Sequence, residues 1–186
     1  MPSAKAVENR RFPALPPAAP PVSFDTDFPE VLMSIEARLA ELGVTLPDAP
    51  APAANYVPFV TVGTLVHVSG QISQNAGGLI KGRLGADMDI TAGAEAAKTC
   101  AISILAQVKN ACGGDLDRVV RAVKLVGFVS STPEFIDQPK VINGASDFMV
   151  AVLGDAGRHA RSAISAASLP LGVAVEIEAI FQIRPA

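Results

Sequence analysis

The chain has 186 residues, of which 49% are apolar, and it carries a formal net charge of −3. This length suffices for one domain with a substantial core. The mildly acidic balance provides no long-range field that would attract nucleic acid or an anionic membrane surface. No apolar run approaches the roughly 20 residues that cross a bilayer, and prolines and charges interrupt the N-terminus where a secretory leader would lie. We therefore expect a cytoplasmic protein that binds neither nucleic acid nor membrane.

The N-terminal part of the chain differs in composition from the rest. Residues 1–32 contain seven prolines and no hydrophobic periodicity, so we expect an extended or disordered tail there. Ser34 is a suitable N-cap for a short helix that ends near Leu42. A second proline- and alanine-rich segment over residues 46–54 is a linker. The predicted organisation is a tail (1–32), a short helix with linker (33–52) and a folded domain (53–186).

The folded domain alternates strand and helix patterns. Apolar residues at helical spacing predict helices over residues 91–111 and 139–153. The order β-β-β-α-β-α-β-β predicts an α+β fold with both helices packed on one face of a mixed sheet. The predicted strands cover residues 56–62, 65–72, 79–84, 121–130, 162–167 and 173–184.

The cysteines and histidines exclude several kinds of site. Cys100 and Cys112 lie about three turns apart on one predicted helix, too far for a disulfide bond, and are expected to be buried free thiols. His67 and His159 have no third metal ligand at a useful spacing. No glycine-rich loop precedes a helix, as a phosphate site would require. We therefore expect no metal and no cofactor.

Strand alternation assigns polar side chains to particular faces. In the strand 65–72 we expect Val66, Val68 and Ile72 on one face, and His67, Ser69 and Gln71 on the other. In the last strand, Glu176 and Glu178 lie on one face about 6.7 Å apart. A carboxylate pair at this distance is conceivable in a glycosidase. Such a pair more commonly marks a solvated strand face, and nothing else suggests sugar chemistry.

Arg161 stands before a run of small residues, 162–167. Its planar guanidinium can hold a carboxylate or phosphate at two points, and small neighbours leave space beside it. The alternative is an exposed arginine that pairs with a surface acid. In an ideal hairpin of the last two strands, Arg161 would lie opposite about Ile180, not Glu176. The reach of the arginine, a loop irregularity or a subunit contact must then bring Arg161 to Glu176.

Three further polar residues are candidates only in combination. Tyr56, the only tyrosine, stands at the start of the first predicted strand, where tyrosines are commonly half-buried packing residues. Asn143 lies on the polar side of the second long helix, and Ser69 could simply make cross-strand hydrogen bonds.

Together these residues resemble the Rid family of reactive intermediate deaminases, also called YjgF or endoribonuclease L-PSP proteins. The resemblance covers about residues 53–184 and includes Tyr56, Ser69 and Asn143 in the family's order. Its most specific part is the C-terminal pattern of Ala160-Arg161-Ser162, Leu169-Pro170 and Val175-Glu176-Ile177-Glu178-Ala179-Ile180.

The resemblance implies a chorismate-mutase-like fold and a homotrimer whose clefts lie between subunits. It also implies hydrolysis of 2-imino acids, and their enamine forms, to 2-oxo acids and ammonia. In this chain Arg161 would clamp the substrate carboxylate, Glu176 would orient or activate water, and Tyr56, Ser69 and Asn143 would line the cleft. Because an imine carbon is already electrophilic, positioning and one oriented water suffice without a cofactor.

Two positions depart from the family pattern. Residue 163 is alanine where well-known members carry cysteine, and His159 stands where a proline is common. A non-catalytic trimer that binds small carboxylates or a protein partner is therefore a second hypothesis. A ribonuclease is a third, against which the acidic charge, the absence of tryptophan and the scarcity of basic clusters argue.

Overall fold

The computed structural model describes residues 33–49 and 55–185. The predicted tail (1–32) and residues 50–54 of the linker lie outside these residues. In the described part, the helices are α1 (Ile35–Glu41), α2 (Ile90–Ala111) and α3 (Gln138–Leu153). The strands are β1 (Phe59–Val62), β2 (Leu65–Ile72), β3 (Gln74–Asn75), β4 (Gly78–Leu79), β5 (Val119–Ser130), β6 (Ala160–Ala166) and β7 (Val175–Ile183).

Five strands form the main sheet in the order β1-β2-β7-β5-β6. β6 runs parallel to β5, whereas the other neighbouring strands are antiparallel. Both long helices cover one face of this sheet, so alternate residues of β7 are buried beneath them. The predicted α+β architecture, with two helices on one face of a mixed sheet, is confirmed. We call the covered side the helix face and the other side the open face.

The two long helices approach each other closely at a glycine. A Cβ atom on Gly144 of α3 would overlap the backbone carbonyl of Ala94 in α2. Any larger residue would force the helices apart, because backbone atoms cannot rotate out of the way as a side chain can. This close contact fixes the position of α3, which carries part of the candidate site.

The short helix α1 packs onto the main domain. Its predicted N-cap, Ser34, accepts a hydrogen bond from the backbone N–H of Ala37 (3.1 Å). Leu39 is buried in the core with 4% exposure. The Arg38 Nε–H donates to the carbonyl of Ala151 in α3 (2.8 Å). These contacts make α1 part of the same hydrophobic core as the sheet.

The last two strands are not a hairpin. β5 lies between them, and its residue Leu125 is in register with Arg161 on one side and with Ala179 on the other. The hairpin expectation is wrong because α3 connects β5 to β6 as a crossover, which places β6 parallel to β5 at the sheet edge.

The predicted faces of β2 are wrong at its C-terminal end. Val68 pairs with Ala179 but Gln71 pairs with Ile177, so β2 contains one extra residue between these pairs. This β-bulge turns Gln71 to the buried helix face and Ile72 to the open face. Because side chains alternate with a period of two, one inserted residue reverses every assignment beyond it.

Candidate functional site

The single chain divides the predicted site between the two faces of the sheet. Arg161 is in register with the buried Leu125, and so points to the helix face. Glu176 is in register with Phe128 and Ile72, and so points to the open face. Among residues 33–49 and 55–185, no hydrogen bond or ion pair joins Arg161 to Glu176. Neither the reach of the arginine nor a loop irregularity brings the two groups together within one copy.

The helix-face group is centred on Arg161 at the start of the edge strand β6. Its Nη1 donates to Asn143 Oδ1 (2.8 Å) and to Ser146 Oγ (3.0 Å). Asn143 and Ser146 are three residues apart on α3 and therefore share one side of the helix. The structure thus brings Asn143 to Arg161. Ser146 was missed by the sequence reasoning, although its spacing from Asn143 was an available signal.

His159 belongs to the same hydrogen-bonded group, because its ring contacts the Ser146 hydroxyl. Its Nδ1 lies 2.6 Å from the carbonyl oxygen of Gly157, which can only accept, so Nδ1 carries the proton. The unprotonated Nε2 lies 3.1 Å from Ser146 Oγ and accepts a hydrogen bond from this hydroxyl group. Burial lowers the pKa of His159; the hydrogen bond to Gly157 opposes this, and the charge of Arg161 adds to it. The imidazole is consequently neutral at neutral pH.

The open-face group forms around the bulge in β2. Ser69 Oγ donates to the carbonyl of Val57 (2.7 Å), and the Ser69 backbone N–H donates to the carbonyl of Pro58 (3.0 Å). These bonds attach the segment that carries Tyr56 to the bulge, and the Tyr56 side chain itself is 48% exposed. The Gln71 amide donates to the Ser69 carbonyl (3.0 Å), which satisfies a backbone group that the bulge leaves unpaired.

Glu176 is the chemically distinctive member of the open-face group. Its carboxylate lies directly against Gly70, where a Cβ atom would overlap it. Within the described residues this carboxylate accepts no hydrogen bond and forms no ion pair. Burial raises the pKa of Glu176, and the neighbouring Glu178 raises it further. The group is therefore a partly buried base whose acceptor positions are free for a water or a substrate.

Each group is open on one side in the single chain. A groove of about 470 Å³ between α2 and α3 is lined in part by Asn143, but Arg161 does not line it. A shallow cavity of about 160 Å³ on the open face is lined by His67, Lys124 and Glu178, but not by Glu176. The described part of one copy therefore does not enclose a small molecule between its arginine and its glutamate.

Within residues 33–49 and 55–185, no cluster of three or more His, Cys, Asp or Glu side chains is arranged to hold a metal ion. In the same part of the chain, no helix combines the length and the apolar character that crossing a bilayer demands. Cys100 and Cys112 are both free and buried, as predicted.

The sequence pattern of the family described as "YjgF/chorismate mutase-like, putative endoribonuclease" matches residues 36–181. The match begins within α1, upstream of residue 53, where the resemblance noted from sequence began. The packing of α1 against α3 accounts for this earlier start, because α1 contributes Leu39 to the shared core.

Individual relatives agree with the family match. The protein TCP17 of Trypanosoma cruzi is 48% identical over 152 residues, which cover 81% of this chain and 94% of TCP17. The crystal structure of Atu1372 from Agrobacterium tumefaciens, a protein of unknown function, is 52% identical, with a TM-score of 0.75 over 81% of this chain and 92% of that one. A "putative endoribonuclease" from Shewanella oneidensis MR-1 is 32% identical, with a TM-score of 0.77 over 81% and 99%.

Proposed function

The chain belongs to the YjgF/chorismate mutase-like family, and on that premise we propose that it hydrolyses 2-imino acids and their enamine forms to 2-oxo acids and ammonia. The active clefts lie between the subunits of a homotrimer. One copy supplies Arg161 and Asn143, and its neighbour supplies Glu176, Ser69 and Tyr56. The observation that carries the proposal is the placement of Arg161 on an edge strand, with unused donors and no carboxylate partner among the described residues of its own chain.

The open face supports self-association. Val60, Val62 and Ile164 all point to this face and are 50%, 63% and 48% exposed. A sheet face without helices and with exposed apolar residues is usually covered by another layer. A second copy seated against it would bring the edge strand β6 towards the open-face group of its neighbour. Such a contact joins two different surfaces, and repeated twice it closes a ring of three.

The chemistry needs one clamp and one base. The unused donors of Arg161 hold the substrate carboxylate, which fixes the imine carbon beside a water. Glu176, as a carboxylate, takes a proton from that water while the water oxygen bonds to the imine carbon. The C=N π electrons move to nitrogen, which takes the proton that Glu176 received from the water. The hydroxyl proton of the resulting carbinolamine then passes through Glu176 to the amino nitrogen. The C–N bond breaks, ammonia leaves, and the O–H electron pair forms the carbonyl of the 2-oxo acid. The raised pKa of Glu176 makes it a stronger base than an exposed carboxylate.

The electrostatics of the site favour a small substrate over RNA. Burial raises the pKa of Glu176, and the charge of Glu178 on the same open face raises it further. Because Lys124 lines the same face as Glu178, the carboxylates interrupt any basic track there, and nucleic-acid affinity depends mostly on such contacts to the phosphate backbone. A single substrate carboxylate can instead be held by Arg161 on the opposite side of the cleft.

The test is ammonia release from 2-iminopropanoate generated in the assay by an amino-acid oxidase. We expect the wild type to accelerate release and Arg161→Ala to lose about 2–4 kcal/mol of transition-state binding, roughly 30- to 1,000-fold in kcat/KM. Arg158→Ala is the matched control, because this nearby arginine has a side chain that is 71% exposed and, in the described part of the chain, pairs only with Asp155. Equal rates for wild type and Arg161→Ala would refute the proposal. Pyruvate binding without any turnover would instead favour the non-catalytic carboxylate binder.

A further inference from the structure

We infer that Ser146 and His159 are positioning residues for the substrate clamp: they hold Nη1 of Arg161 so that its Nε–Nη2 edge faces the substrate carboxylate. This inference rests on the proposed function, because it specifies how Arg161 receives the carboxylate there. It does not require Ser146 or His159 to touch the substrate.

Arg161 uses only part of its hydrogen-bond donors among the described residues. An arginine carries five N–H groups, two on each Nη and one on Nε. Asn143 Oδ1 lies 2.8 Å and Ser146 Oγ 3.0 Å from Nη1, so both Nη1 protons are used. Among the described residues Arg161 makes no other hydrogen bond. A carboxylate can bind at two points across Nη1–Nη2 or across Nε–Nη2, and only the second edge remains free.

The hydrogen bonds that join Ser146 to His159 and Gly157 have a defined direction. Because Nδ1 of His159 donates to Gly157, Nε2 can only accept in the neutral ring. The Ser146 hydroxyl therefore donates to Nε2 and turns its lone pairs towards Arg161. Without an acceptor at position 159, this hydroxyl is free to rotate and to donate elsewhere. The Nη1 group then loses a fixed acceptor. Its two protons can exchange by rotation about the Cζ–Nη1 bond, and the guanidinium can shift by rotation about the single bonds of the side chain.

Three substitutions separate this role from general packing. Ser146→Ala removes the acceptor beside Nη1. His159→Leu keeps the volume of the ring but removes the Nε2 acceptor. His159→Gln supplies an amide oxygen near the position of Nε2, and so restores an acceptor for the Ser146 hydroxyl. A packing role alone would be disturbed by Gln as much as by Leu.

The experiment records the guanidinium ¹⁵N–¹H resonances of Arg161 in full-length protein, assigned by their loss in Arg161→Lys. It is paired with calorimetric titration of pyruvate and with deaminase kinetics. We expect separate, slowly exchanging Nη1 protons in the wild type and in His159→Gln, and averaged protons in Ser146→Ala and His159→Leu. The Kd for pyruvate and the KM should rise about tenfold in the last two variants, as for one lost hydrogen bond to a charged group, with kcat changed far less.

Two results would overturn the inference. One is equal effects of Leu and Gln at position 159 on the Arg161 resonances and on the Kd. The other is a wild type whose Nη1 protons are already averaged, or that binds no pyruvate. Restrained Nη1 protons, pyruvate binding and His159→Gln rescue without imine turnover would support the positioning role and would refute only the proposed deaminase activity.

Discussion

The helix-face and open-face groups differ in how many of their hydrogen bonds are made by residues of the protein itself. On the helix face, Arg161, Ser146 and His159 are joined by hydrogen bonds that end at a backbone carbonyl. On the open face, the Glu176 carboxylate has no hydrogen-bond partner in the described chain, and burial raises its pKa. This difference suits a clamp that must be oriented before substrate arrives, and a base that must remain free to accept a proton.

The largest expected effect on kcat comes from replacing Glu176, whose carboxylate has no hydrogen-bond partner in the described chain. Glu176→Gln keeps the size of the side chain but removes the base, so kcat should fall by about 10²- to 10⁴-fold. KM should change little, because Arg161 still holds the carboxylate. Steady-state ammonia release measures both constants. Glu178→Gln serves as control, since it removes a charge from the same strand face without removing the base. A Glu176→Gln enzyme with the kcat of wild type would show that the open-face group is not catalytic.

A smaller effect is expected at the residue on which the carboxylate rests. The Cβ of Gly70→Ala would overlap the Glu176 carboxylate and displace it. Misplacement of a reacting group by about 1 Å can cost on the order of 100-fold in rate. In the Glu176→Gln background, the same glycine change should cost little more, because the two residues act through one group. Additive losses would show that Gly70 acts elsewhere, and thermal unfolding by circular dichroism checks that the fold is retained.

The smallest effect concerns the pH dependence of the base. Glu176 must be ionised to act, so kcat/KM should fall as the pH drops through its raised pKa. Glu178→Gln removes a neighbouring negative charge and lowers the pKa of Glu176 towards its ordinary value. The acid limb of the kcat/KM profile should therefore move to lower pH, with little change in kcat at neutral pH. A limb that stays in place, or moves to higher pH, would show that another group controls it.

Much of the fold follows from sequence periodicity. The helices at 91–111 and 139–153 and the strand at 65–72 were predicted to within one residue of their observed bounds, because their apolar patterns are long and regular. The strand order around β6 and β7 was not predicted correctly. Sequence order favours a hairpin there, and only the crossover through α3, which packs against α2 at Gly144, places β5 between them.

The division of the site could not be predicted from strand alternation alone. The C-terminal pattern singles out Arg161 and Glu176, but their faces depend on which strand lies between them. The bulge at Ser69–Gly70 gives no sequence signal beyond the glycine, yet it leaves the room that the Glu176 carboxylate occupies. Nothing in the sequence indicates that His159 joins Arg161, because the link between them runs through Ser146 on a different element.

The central claim is that each active cleft takes its arginine from one copy and its glutamate from another. The most direct measurement coexpresses Arg161→Ala and Glu176→Gln chains with different tags and assays the purified mixed assemblies. In a ring of three, a mixed assembly of either composition pairs an intact arginine with an intact glutamate in one of its three clefts. We predict recovery of about a third of the wild-type kcat, counted per assembly, from two nearly inactive parents. Mixed assemblies no more active than their parents would contradict the account.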